Sequence, residues 1–439
     1  MTALHYHLAG VAGVGMSSLA QALLHEGHIV TGSDRYFDAG RNLDVIDKLG
    51  GAGVRLLRQD GGGLTADTAG LVVSTAIEED NADLVSARRL NVPLIHRAAM
   101  LAKHLAGKRC VAVTGTSGKS TVTGMIGWIL QQAGADPTVV NGAPVLNWVD
   151  DRTIGNFRGG RAGVWVFEAD ESDRSLLQYH PDWAVITNVS KDHFEIDTAL
   201  ELFGQFKRQV KQGLVSAIDE PHFLAALRAE ATGGGMAFEH GGERFEVRLR
   251  GLHNAENALL AVVLCERLGC DAGHIREALR SFKGIQRRLE TIGAAGGVTV
   301  VDDYAHNPAK IRAAWRATAS HSRRIVGIWR PHGYGPLLLM LEELTTAFVE
   351  TCRPEDCLFI LPVFDAGGTA NRTVTSGMLV DRLRERGVAA DEAQDPDQLV
   401  AAVSSMAREG DTILTMGARD PGLPALARRM LAALPGAGA

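Results

Sequence analysis

Thr114-Gly115-Thr116-Ser117-Gly118-Lys119-Ser120-Thr121 is the stretch on which the reading of this chain turns. It follows an apolar, β-branched run at 110–114 and precedes a helical pattern at 119–132. A glycine loop between a strand and a helix lets backbone N–H groups turn inward around phosphate oxygens. The helix N-terminus adds partial positive charge. Lys119 can reach the outer phosphates of a nucleotide, and Ser120 can ligate Mg²⁺. Gly115, Thr116, Ser117, Gly118 and Thr121 complete the candidate phosphate loop. Only two glycines precede the lysine, so the loop is shorter than the usual G-x-x-x-x-G-K-[ST]. The bland alternative is a glycine turn beside a surface lysine, and the strand–loop–helix setting weighs against it.

Working outward, the same α/β pattern restarts three times. The first stretch has strand patterns at 6–10, 29–34, 70–75 and 92–95, with a helix at 16–26. The second, from about residue 108, adds strands at 164–168 and 183–188, a polar glycine-rich turn or loop at 233–242, and an apolar helix at 251–268. The third has strands at 298–302, 324–329, 358–363 and 412–416. Alternating strands and helices predict parallel sheets covered by helices. The fold class is therefore α/β in three domains, at 1–106, 107–292 and 293–439.

The strand ends carry further chemistry. Glu168-Ala169-Asp170-Glu171-Ser172-Asp173 ends one strand, and Glu168, its first polar residue, is the leading Mg²⁺ ligand. A solvated acidic loop is the alternative. Thr187-Asn188-Val189-Ser190-Lys191-Asp192-His193 ends the next strand, making His193 a candidate for a second metal or for phosphate. Asn254 and Asn257 share a helix face and suit either an adenine edge or a helix cap. Arg287-Arg288 stands before the third domain, where an arginine can reach a γ-phosphate on closure. At the N-terminus, Gly10-Val11-Ala12-Gly13-Val14-Gly15 is a glycine turn with Asp34 downstream, as in dinucleotide binders. Its G-x-x-G-x-G spacing supports a diphosphate ligand without choosing NAD over a nucleotide sugar.

Composition sets the outer limits. The 439 residues include 45 Lys+Arg and 51 Asp+Glu, a formal net charge of −6. That balance argues against bulk nucleic-acid binding. No apolar run is long enough for a membrane span. Residues 1–7 carry no basic stretch followed by a long apolar one, so no secretory signal is expected. The five cysteines form no C-x-x-C pair and read as reduced thiols of a cytoplasmic protein.

In their order along the chain, the phosphate loop, Glu168, Asn188…His193, His253-Asn254…Asn257, Arg288 and Asp303…His306 resemble the Mur ligase family. These are ATP-dependent amino-acid ligases of bacterial cell-wall synthesis. Gly13-Val14-Gly15-Met16-Ser17, Ser33-Asp34, Ser74-Thr75, Asp302-Asp303-Tyr304 and Arg330-Pro331-His332 are most similar to the branch that adds L-alanine to UDP-N-acetylmuramate. A murein-peptide recycling branch acting on the same UDP-sugar is the alternative, as is a diverged paralogue with another acceptor.

The resemblance implies catalysis by Lys119, Glu168, His193 and Arg288, with Ser120, Glu168 and His193 as metal ligands. ATP would meet the phosphate loop at 115–121 and also Asn254, Asn257, Arg288 and Asp303. The UDP-sugar would meet Gly13, Gly15, Met16, Ser17, Ser33, Asp34, Ser74 and Thr75. Tyr304, His306 and His332 would line the amino-acid cleft. The implied partners are small molecules, with ATP and Mg²⁺ as cofactors, in a monomer or homodimer. Ser117, Asn307, Gly333 and Gly335 depart from that branch's usual residues, and the segment 217–251 looks abbreviated.

Overall fold

A computed structural model describes residues 2–40, 44–190, 194–365, 372–418 and 420–437. The chain divides into two compact units. One comprises 1–249 with 253–285, and the other comprises 250–252 with 286–439.

The first unit holds two parallel-type sheets. In spatial order the N-terminal sheet is Arg55–Leu57, Ile29–Ser33, His5–Ala9, Gly70–Val73 and Leu94–His96, every pair parallel. The order reverses beside His5–Ala9, so a crevice opens past the carboxyl end of that strand. The helix Val14–His25 leaves this point and buries Met16, Leu19, Ala20 and Leu23.

The central sheet runs Gly213–Ser216, Trp183–Ile186, Arg109–Thr114, Val164–Glu168, Thr138–Val140 and Phe157–Arg158. Only the last pair is antiparallel. The strand leading into the phosphate loop therefore lies between the strands ending at Ile186 and Glu168. This order brings three motifs distant in sequence to one edge.

The segment expected as a loop at 233–242 is instead part of a three-stranded antiparallel meander, Ala229–Ala231, Met236–His240 and Glu243–Val247. Met236, Phe238, Phe245 and Val247 alternate inward, and the opposed Phe238 and Phe245 rings stack 5.7 Å apart. The strands are too short for their period-2 pattern to stand out beside so many glycines.

In the second unit the order is Glu290–Ala295, Val298–Asp303, Asp411–Met416, Arg324–Trp329, Cys357–Ile360 and Ala390–Glu392. The first pair is antiparallel and the rest parallel. Helices cover both faces, one over Trp315, Trp329 and Phe348, the other over Val300, Ile413 and Met430. The five cysteines are free thiols.

Candidate active site

The helix Lys119–Gln132 starts at Gly118, which has φ +85° and offers no side-chain cap. Its first-turn N–H groups are left for a ligand. Gly115 has φ +126°, and a Cβ there would lie 2.1 Å from Thr187 Oγ1. The neighbouring strand end clamps the loop. Thr187 Oγ1 donates to the Ser117 carbonyl at 2.6 Å, and Asn188 Nδ2 donates to it at 2.9 Å. The Ser117 N–H donates to Asn188 Oδ1 at 3.0 Å. These bonds tie the loop backbone to the end of the adjacent strand. Gly115→Ala combines backbone strain with a clash and should lower stability by roughly 1–3 kcal/mol. It should also raise the KM for ATP. A variant with unchanged melting and ATP kinetics would refute this account of the loop.

Lys119 Nζ donates to Glu171 Oε2 at 2.6 Å and to the Gly115 carbonyl at 2.9 Å. Burial opposes its charge, but Glu171, Asp170 and Glu168 outweigh burial and lift its pKa above the ordinary value. Ser120 Oγ donates to Glu168 Oε2 at 2.7 Å, and the Gly142 N–H donates to the same oxygen at 2.9 Å. A Cβ on residue 142 would fall 2.4 Å from that oxygen, so Gly142 keeps this cradle open.

A hydroxyl beside one carboxylate at a phosphate loop is the donor set that suits Mg²⁺, which takes one or two protein ligands plus phosphate oxygens. Among the described residues no cluster of three or more His, Cys, Asp or Glu could hold a metal. His193 lies outside the described residues. Asn254 and Asn257 are both buried on the helix Leu252–Arg267. The Asn257 carboxamide lies against Gly118, where a Cβ would meet it at 2.4 Å.

A cleft of about 420 Å³ lies between the glycine turn and the acidic strand end. Gly13, Gly15, Met16, Asp34 and Ser74 line it from the N-terminal sheet, and Glu168 and Asp170 line it from the central one. Asp34 accepts from the Ala12 and Tyr36 N–H groups at 3.0 and 2.9 Å, which fixes the turn. The remaining expected sugar contacts lie elsewhere. Ser17 is buried, donates to the Val14 carbonyl and accepts from Asn156 Nδ2 at 2.9 Å. Ser33 is buried and donates to Asp83 Oδ2 at 2.5 Å. Thr75 sits in an exposed turn.

In the second unit the two adjacent arginines have different surroundings. Arg287, at φ +59°, pairs with Asp302 at 3.0 Å and donates to the Ala418 and Gly417 carbonyls. Both guanidiniums lie over the Tyr304 ring, Arg287 at 5.3 Å and Arg288 at 5.1 Å from its centroid. Asp303 accepts from the Leu289 and Ala305 N–H groups, each at 2.7 Å. Tyr304, His306 and His332 form an aromatic group, with the two histidine rings 4.8 Å apart. Asn307 caps the helix Pro308–Ala319 by accepting from the Lys310 N–H at 3.0 Å.

Burial raises the Asp303 carboxyl from 3.8 to about 6, although Arg288 and the two N–H groups oppose the shift. The native state then binds more protons than the unfolded chain between those values, so this group's contribution to stability falls as pH rises. The loss is about 3 kcal/mol once the pH exceeds 6. Relative to Asp303→Asn, the wild type should therefore lose melting temperature from pH 4 to 7. A pH-independent difference would contradict the assignment.

Sequence reasoning missed Glu171 as the partner of Lys119, Gly142 beside Glu168, and Asn188 as the clamp on Ser117. Glu171 and Asn188 lie inside motifs that were noticed. Gly142 carries no local signal.

Comparison with known proteins covers nearly the whole chain. The Mur ligase family catalytic domain matches residues 5–109, the Mur ligase middle domain 113–217, and the Mur ligase glutamate ligase domain 287–419. The UDP-N-acetylmuramate–L-alanine ligase of Anaeromyxobacter sp. strain Fw109-5 is 35% identical, over 94% of each chain. That of Myxococcus xanthus is 34% identical, over 94% of this chain and 92% of its own. Among solved structures, the UDP-N-acetylmuramate-alanine ligase MurC from Thermotoga maritima aligns with TM-score 0.80 and 25% identity, covering 98% of each chain. A murein peptide ligase from Psychrobacter arcticus shares the fold, with TM-score 0.68 and 22% identity over 98% of each chain. With three domains matched in order and full-length relatives above 30% identity, this chain belongs to the Mur ligase family.

Proposed function

We propose that this protein joins L-alanine to UDP-N-acetylmuramate, releasing ADP and phosphate through an acyl-phosphate intermediate. One observation carries the reading. The cleft at the N-terminal glycine turn runs to Glu168 and Asp170, beside the loop that holds Lys119 and Ser120. A nucleotide sugar bound at its diphosphate would present its carboxylate to the site of phosphoryl transfer. The relatives named as L-alanine ligases support the substrate pair. A MurF ligase from Thermotoga maritima solved with ADP supports the nucleotide.

In this reading Lys119 and Arg288 neutralise charge on the transferring phosphoryl group. Ser120 and Glu168 would hold Mg²⁺, which would supply Lewis-acid stabilisation of phosphate charge when bound. Asn254, Asn257 and Asp303 serve the ATP side. Tyr304, His306 and His332 serve the incoming amino acid. The carboxylate of the sugar attacks the γ-phosphorus, and the alanine amine then displaces phosphate from the acyl phosphate. Water must be kept out between these steps. ATP and a nucleotide sugar are cytoplasmic substrates. Among the described residues, no helix is long and apolar enough to cross a membrane.

The test is ADP release with Mg²⁺-ATP and UDP-N-acetylmuramate, adding L-alanine, other amino acids or the murein tripeptide in turn. Turnover with L-alanine is the expected result. Turnover only with the tripeptide would overturn it in favour of recycling.

A further inference from the structure

The glycine turn and the phosphate loop belong to different sheets of the first unit, and a chain of hydrogen bonds joins them through Asn156. This residue precedes the short strand Phe157–Arg158, which pairs with Thr138–Val140 so that Val140 lies opposite Phe157. One step further along that pairing, the Asn141 N–H donates to the Asn156 carbonyl at 2.9 Å. On the other side Gly155 has φ +87°, and a Cβ there would fall 2.6 Å from Val149 Cγ2 and 2.9 Å from the Val145 carbonyl oxygen. The Asn156 backbone is therefore fixed by the central sheet and its loop.

Its side chain is fully buried and reaches the helix Val14–His25 of the N-terminal sheet. Nδ2 donates to the Val14 carbonyl and to Ser17 Oγ, each at 2.9 Å, and Oδ1 accepts from Gln21 Nε2 at 3.0 Å. Both donors of the carboxamide are used, and breaking either bond in the interior costs free energy, so the side chain holds one orientation. At the opposite end of the chain, Asn141 Nδ2 donates to the Ser120 carbonyl at 3.1 Å. The Gly142 N–H is shared between Asn141 Oδ1 and Glu168 Oε2, each at 2.9 Å. Hydrogen bonds thus run from the first turn at Val14 through Asn156 and Asn141 to Ser120 and Glu168.

Resting on the reading that the cleft takes a nucleotide sugar, we infer that Asn156 is a positioning residue for phosphoryl transfer, setting the spacing between the glycine turn and the phosphate loop. It does not itself line the cleft. A sugar held at the turn and a nucleotide held at the loop react only when their atoms come within about 3–3.5 Å, and a misplacement of about 1 Å can cost about 10²-fold in rate. Each wall keeps its own supports without Asn156. Asp34 still holds the Ala12 and Tyr36 N–H groups, and Thr187 and Asn188 still hold Ser117. Loss of Asn156 therefore acts on the joint step rather than on either binding event.

The experiment compares the full chain with Asn156→Ala and Asn156→Asp. ADP release is measured at saturating Mg²⁺-ATP, UDP-N-acetylmuramate and L-alanine, and binding of UDP-N-acetylmuramate and of ADP is measured separately by calorimetry. Melting curves set the assay temperature below the transition of every variant. Asn156→Ala should lower kcat at least about tenfold. Its affinities for the two ligands should stay within about threefold of the wild type, a split that a general loss of stability would not produce. Asn156→Asp keeps the volume and the acceptor for Gln21 but loses both donors, so it should show the same split, and it carries the test if Asn156→Ala fails to fold. Unchanged kcat in either folded variant would overturn the inference. So would weakened UDP-N-acetylmuramate binding with wild-type kcat, because Asn156 would then shape the turn alone. Failure of the wild type to bind UDP-N-acetylmuramate would instead overturn the nucleotide-sugar reading itself.

Discussion

Lys119→Ala should reduce acceptor-dependent ADP release by about 10²–10³-fold, the usual cost of removing one preorganised charge from a transferring group. The same substitution should destabilise the fold, for a reason separate from catalysis. Lys119 is the cation paired with Glu171, which is only 3% exposed. Removing one member of a buried pair leaves the other uncompensated, at roughly 3–5 kcal/mol. Lys119→Ala combined with Glu171→Gln removes that stranded charge. The double variant should recover much of the lost stability and none of the lost activity. Melting and ADP release measured side by side separate the two roles. Full ADP release by Lys119→Ala would refute the assignment of the loop.

Glu168→Gln should reduce turnover by at least about 10²-fold, since the amide is a poor ligand for a hard cation. Stability should change little. A carboxamide oxygen can still accept from Ser120 Oγ and the Gly142 N–H, so neither donor is left unpaired. Added Mg²⁺ should restore part of the activity. Turnover within a few-fold of wild type at the same Mg²⁺ requirement would exclude Glu168 as the ligand. This pattern, activity lost and stability kept, is the reverse of what an acidic loop with a purely structural role would give.

Much of the site was legible because phosphate chemistry has strict local requirements. A strand, a glycine turn and a helix carrying Lys119 and Ser120 are contiguous, so their geometry follows from short-range sterics and hydrogen bonding. The Gly10–Gly15 turn and Asp34 are legible for the same reason. The pair Arg287-Arg288 shows the limit. The two residues read alike and both lie over Tyr304, yet Arg287 is also held by Asp302 and two carbonyls. Ser17 and Ser33 belong to recognisable motifs, but their hydroxyls are spent on Val14 and Asp83.

By itself the sequence determined the α/β class, the phosphate loop and the family, because each depends on residues close together or on motifs kept in order. Only the tertiary structure decided that Thr187 and Asn188 grip the loop, that Glu171 holds Lys119, that Gly142 frames Glu168, and that Asn156 reaches Val14 and Ser17. Each of these contacts joins residues far apart along the chain. They meet because the order of strands in a sheet brings strand ends together, and that order is set by burial and crossover geometry rather than by any local pattern of residues.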